Sequence, residues 1–193
     1  DNWTEINTGL TETNIRSLAI NSSGHIFAGT SGGGVYRSTD NGDNWTQINT
    51  GFIETRVRSL AINSSGHIFA GTSLAGIFRS TDNGNNWIQI NTGFTLSSVN
   101  SLTINSSGHI FAGTWGSGVF RSTDNGDNWT QINIGFTFID VISLAINSIG
   151  HIFAGTSGGG IFRSTDNGDN WTEINTGLTE TNIRSLAINS SGH

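Results

Sequence analysis

Ser38-Thr39-Asp40-Asn41-Gly42-Asp43-Asn44-Trp45 returns as Ser80–Trp87, Ser122–Trp129 and Ser164–Trp171 at a fixed step of 42 residues. Asn85, in place of Asp43, is the one exchange among the four copies. A truncated copy, Asp1-Asn2-Trp3, opens the chain. Outward from this stretch the same period holds: His25, His67, His109, His151 and His193 keep the step, and residues 1–42 differ from 43–84 at only nine places. Residues 1–25 and 169–193 are identical. Self-similarity at this spacing is the signature of a repeat architecture.

Each period reads as four short strands. In the first, these are Asn14–Asn21, His25–Thr30, Val35–Ser38 and Trp45–Asn49. They are separated by Ser22-Ser23-Gly24, by Ser31-Gly32-Gly33-Gly34 and by Asp40-Asn41-Gly42-Asp43, all turn-forming runs. Short strands with a turn every 8–12 residues point to an all-β fold, and no stretch carries the spacing of an amphipathic helix. Four strands in about 42 residues match one β-propeller blade of four antiparallel strands. One blade buries too little apolar surface to stand alone, so blades must pack side by side.

Composition narrows the function. Of 193 residues, 34% are apolar and 11% charged, with 27 Gly and no Pro, Cys or Met. Without a thiol there are no disulfides, Cys-ligated metals or Cys nucleophiles. No apolar run reaches the roughly 18 residues of a membrane-spanning helix. A net charge of −6 argues against a basic nucleic-acid surface.

The recurring turn resembles the Asp-box, S-x-D-x-G-x-T-W, of BNR-type propellers, with Asn44, Asn86, Asn128 and Asn170 standing where that family carries Thr. Leu18–Thr30, followed by Gly34, is similar to the repeats of two-component-regulator propellers. Together the resemblances cover essentially the whole chain and imply a propeller like those of sialidases, sortilin-type receptors, photosystem II assembly factors and xyloglucanases. They also imply that the motif joins the third and fourth strands of a blade, away from any catalytic centre. Within it, Asp40, Asp82, Asp124 and Asp166 are expected to accept backbone N–H bonds in the turn, and Gly42, Gly84, Gly126 and Gly168 to supply a positive φ. Trp45, Trp87, Trp129 and Trp171 should each pack beside the next blade.

On this mapping the chain is a single repeat domain over 1–193. It has four complete blades over about 14–175, a stray outer strand at 1–8 and a stray inner strand at 182–193. The partial fifth blade, with no initiating Met or signal peptide, points to a processed product or a piece of a longer array, or to a homo-oligomer in which chains share blades.

The repeats serve as their own comparison set. Two segments vary strongly: the connection after the outer strand, at residues 11–16, 53–58, 95–100 and 137–142, and the hairpin between the second and third strands, at 31–33, 73–75, 115–117 and 157–159. In an antiparallel blade both belong to one face. Loops on a rigid scaffold are where binding usually resides. Trp115, Phe138, Ile139, Leu96 and Leu74 bring apolar bulk to that face, and Arg56 and Arg58 bring charge. These are the candidate contacts for a protein or glycan ligand.

No catalytic residue, metal or cofactor is expected. One His per repeat, always after a Gly, places the imidazoles too far apart for a shared zinc. The lone Tyr36 has Phe78, Phe120 and Phe162 as its equivalents, a packing pattern rather than that of a sialidase nucleophile. Arg37, Arg79, Arg121 and Arg163 repeat with the frame, which points to structural pairing or strand-edge solubility. The Gly32-Gly33-Gly34 run lacks the Lys of a phosphate loop. The expected function is a non-catalytic recognition or scaffold module, secreted or on the cell surface. The alternatives are a lectin, a repeat protein without a ligand of its own and, last, a sialidase-type hydrolase.

Overall fold

The structure, a computed structural model, describes residues 2–189. Within the described residues, sixteen strands form four antiparallel sheets, each following chain order. Blade 1 is β1 (Ile15–Ile20), β2 (Ile26–Thr30), β3 (Val35–Ser38) and β4 (Thr46–Gln47); blade 2 is β5 (Val57–Ile62), β6 (Ile68–Thr72), β7 (Ile77–Ser80) and β8 (Ile88–Gln89). Blade 3 is β9 (Val99–Ile104), β10 (Ile110–Thr114), β11 (Gly118–Ser122) and β12 (Thr130–Gln131); blade 4 is β13 (Val141–Ile146), β14 (Ile152–Thr156), β15 (Ile161–Ser164) and β16 (Thr172–Glu173). The fold is a β-propeller array whose innermost strands pack in series, β1 on β5, β5 on β9 and β9 on β13.

The recurring turn satisfies itself. Asp40 Oδ1 accepts from Asn44 N and Ser38 Oγ, while Ser38 Oγ accepts from Gly42 N. Asn44, the departure from the Thr of the motif, donates its side-chain Nδ2 to Asp40 Oδ2 at 2.9 Å. The carboxylate is thereby bonded through both oxygens. Asn41 and Gly42 both take positive φ, 59° and 98°. The other three turns repeat these bonds.

The core lies between blades. Phe27, Val35 and Ile48 of blade 1 meet Leu60, Ala70, Phe78 and Trp87 of blade 2, and the two later junctions repeat the set. Each Trp therefore packs against the preceding blade, not the next one. Its indole N–H fixes the direction: Trp87, Trp129 and Trp171 donate to the carbonyls of Ile48, Ile90 and Ile132. Cross-blade pairing of the arginines runs the other way. Arg79 and Arg121 reach forward to Asp127 and Asp169, each at 2.8 Å.

The outer strands are two residues long, shorter than Trp45–Asn49. Trp45 N turns aside to bond Thr8 O, and Asn49 Oδ1 accepts from Val35 N in the neighbouring strand. Residues 2–8 and 182–189 occupy the places of a stray outer and a stray inner strand without forming one. Ile6 O accepts from Trp45 Nε1, as Ile48 O does from Trp87. Leu186 N donates to Ser143 Oγ, as Leu144 N does to Ser101. Among the described residues no third or second strand lies beside either segment to complete its ladder. Positions 190–193, the end of the expected inner strand, lie outside the described residues.

Candidate functional site

The two variable segments interlock on one face. The connections entering blades 2 and 4 bond the hairpins on both sides of them: Gly34 N donates to Thr55 O, and Ser73 N to Arg56 O. The pattern continues with Trp115 N to Ser98 O, Gly118 N to Ile139 O and Ser157 N to Asp140 O. Each hairpin is braced internally, with Thr30 Oγ1 accepting from Gly33 N and donating to Gly34 O. The divergent residues thus sit on a hydrogen-bonded rim.

Between blades 1 and 3 this face holds an open concavity of about 500 Å³. Arg16, Arg56, Arg58, Leu74, Asn100 and Trp115 line it, with Ser31, Val57, Ser73 and Ser98. A register shift explains how the charges arrive. Each innermost strand skips one residue in its pairing, between Ile15 and Ser17, Val57 and Ser59, Val99 and Ser101, and Val141 and Ser143. The skipped residues are Arg16, Arg58, Asn100 and Ile142. A bulge re-aims its side chain, here out of the ladder.

The three guanidinium groups are held differently. Arg56 forms a two-pronged pair with Glu54, Nε at 3.0 Å and Nη2 at 2.9 Å, which lowers the carboxyl pKa and raises that of the guanidinium. Arg58 donates to Ser73 Oγ at 2.8 Å and to Asn100 Oδ1 at 3.4 Å, and Arg16 to Ser31 Oγ at 3.4 Å. Among the described residues neither Arg16 nor Arg58 touches a carboxylate. The concavity is therefore locally cationic on a chain of net charge −6.

Of the residues read from sequence, Arg56, Arg58, Leu74 and Trp115 come together here; Leu74 is 64% and Trp115 54% exposed. Leu96, Phe138 and Ile139 lie on the same rim but do not line the concavity. Phe138 instead covers the Gly158-Gly159 hairpin, where a Cβ on either glycine would meet its ring. Sequence reasoning missed Arg16 and Asn100, although each stands one 42-residue step from Arg58. Tyr36 is buried, its hydroxyl 2.6 Å from Thr11 Oγ1. The opposite face carries a smaller polar cleft of about 310 Å³ bordered by Asn21, Ser64 and Asp82. Among the described residues no three His, Asp or Glu side chains gather into a metal-binding group.

No match is found among curated proteins. Among solved structures the chain is similar to an ancestral GH74 enzyme, at 25% identity and a TM-score of 0.73 over 89% of this chain and 25% of that one. It is similar to the extracellular domain of a hybrid two-component system from B. thetaiotaomicron, at 21% identity and a TM-score of 0.77 over 95% of this chain and 25% of that one. A third is YCF48 bound to D1 peptide, at 20% identity and a TM-score of 0.65, over 86% of this chain and 54% of that one. The chain thus spans about a quarter of the first two and about half of the third. At its own scale, residues 1–109 match the family described as the DUF6242 beta propeller domain, so the chain belongs to that β-propeller family.

Proposed function

We propose that this chain is a non-catalytic recognition module built from Asp-box blades, working outside the cytoplasm and binding an acidic segment of a protein partner across the rim of loops. The observation that carries this reading is the concavity in which Arg16, Arg56 and Arg58 stand beside Leu74 and Trp115. Arg56 is already paired with Glu54, but the guanidinium groups of Arg16 and Arg58 are not matched to a carboxylate among the described residues and favour one, bidentately where geometry allows. The exposed Trp115 beside arginines matches the composition of a binding hot spot, and the exposed Leu74 adds apolar area. YCF48, of similar fold, is seen with a bound peptide, and the Bacteroides neighbour is an extracellular domain; both are compatible with this reading. The buried, hydrogen-bonded Tyr36 favours binding over sialidase-like turnover.

A glycan is the second reading, favoured by Trp115, whose half-exposed indole shares the concavity with Asn100 and Arg58. Both readings are tested on the full chain by fluorescence anisotropy with Asp/Glu-rich peptides bearing one aromatic residue, beside an array of acidic and neutral glycans. Peptide binding that Arg58→Ala weakens and added salt lowers supports the first reading. Glycan binding lost in Trp115→Ala, with silence from the peptides, transfers the assignment to a lectin. Hydrolysis of a fluorogenic sialoside overturns the non-catalytic assignment.

A further inference from the structure

The two ends of the array each lack the neighbour that the other end supplies. On the open face of blade 1, Leu18 is 62% exposed, whereas its equivalents Leu60, Leu102 and Leu144 are buried at 7–8% by the blade before them. On the open face of blade 4, Phe153, Ile161 and Ile174 are half-buried, whereas Phe111, Val119 and Ile132 are buried by the blade after them. Charge follows the same rule. Arg37, Arg79 and Arg121 each donate to the turn of the next blade, at Asn83 O, Asn125 O and Asn167 O. Arg163 has no such partner among the described residues, and Asp43, the equivalent of Asp127 and Asp169, is exposed without an arginine.

We propose that a second copy of this chain docks head to tail, the open face of its blade 1 against the open face of blade 4. The contacts that the two tails now make with the end blades can be remade by the second copy without changing a residue, because residues 1–25 and 169–193 are identical. The incoming β1 takes the place of residues 182–189, so that its Leu18, in the position of Leu186, meets Ser143. Residues 170–176 take the place of residues 2–8 of the incoming copy, so that its Trp45 donates to Ile174 O in place of Ile6 O. Both displaced segments are extended tails outside any strand, each held by a few hydrogen bonds. Arg163 then reaches Asn41 O and Asp43 of the second copy, the missing member of its series.

The test is the mass of the full chain in solution by light scattering across a concentration series. The expected result is a mass that rises with concentration to two or more times 20.5 kDa, the mass of one chain; a monomer throughout overturns the proposal. Leu18→Glu alters a side chain exposed in the lone chain, so it should leave the circular dichroism spectrum unchanged while reducing the mass to that of one chain. Ile149→Glu, at a site 73% exposed on the opposite rim, should leave the mass unchanged. If Leu18→Glu stays associated, the docking face is wrong. Arg163→Glu and Asp43→Lys should each raise the dissociation constant by about fivefold, the scale of one surface ion pair. Carrying both should restore it, and failure of the double variant to do so overturns the registered joint.

Discussion

At the scale of single residues, each recurring turn is tied by a carboxylate that accepts through both of its oxygens. Asp166 accepts from Asn170 Nδ2, from Asn170 N and from Ser164 Oγ, and these bonds lower its pKa to about 2 from the ordinary 3.8. Because the folded pKa is depressed, the ionised turn stabilises the fold fully above pH 3.8 and loses that contribution as pH falls through about 2. Asp166→Asn should therefore be less stable than the wild type near pH 5, with the gap narrowing as pH approaches 2; urea titrations along that range measure it. The residue types of this turn were legible because each has one physical use there. The direction of Trp45 and its equivalents was not, since an aromatic ring in a list of residues does not say which neighbouring sheet it faces. Only the carbonyl that accepts the indole N–H decides it.

At the scale of elements, the junction between blades carries the stability. Trp129 is 4% exposed, rests against Phe94 with ring centroids 5.8 Å apart and donates to Ile90 O. Trp129→Ala should cost about 3–5 kcal/mol in chemical denaturation, the range for a large buried aromatic. Gly113 shows how closely the sheets approach: a Cβ placed there would stand 2.6 Å from Val141 Cγ1. Gly113→Ala should cost about 1–3 kcal/mol by overpacking, although its φ suits any residue. Strand order and pairing were readable from alternation and turn residues. The two-residue outer strands were not, because their backbone groups are diverted to Thr8 and its equivalents, which follow from three-dimensional adjacency alone. The bulge at Arg16 and Arg58 escaped for a related reason: a skipped pairing leaves no mark in a hydrophobic pattern, so the charges it projects were found only in part.

At the scale of the whole molecule, stability should be graded along the array, since a repeat gains most of its free energy from its neighbours. Blades 2 and 3 are flanked on both sides, while β1 is open on one face and residues 182–189 form no strand. In the Leu18→Glu background, amide exchange should be slowest in β6 and β10 and fastest in residues 182–189. Uniform protection from end to end would contradict a graded array. The number of blades and the side on which their loops diverge could be read from a 42-residue period. The cationic concavity could not, because it assembles from side chains contributed by three successive blades.

The cross-blade bonds keep constant sequence offsets: 39 residues from tryptophan to carbonyl, 43 from leucine amide to serine, 46 from arginine to turn. Excising residues 43–84 would join Gly42 to Asn85, recreating the run Asn-Gly-Asn-Asn-Trp already present at Asn83–Trp87. Such a shortened polypeptide should still fold, as three blades with a single cooperative transition. Unequal crossing-over between such repeats would then lengthen or shorten the gene by whole periods without inventing one new contact. The same bonding that makes each junction specific makes the number of junctions heritable as a free variable.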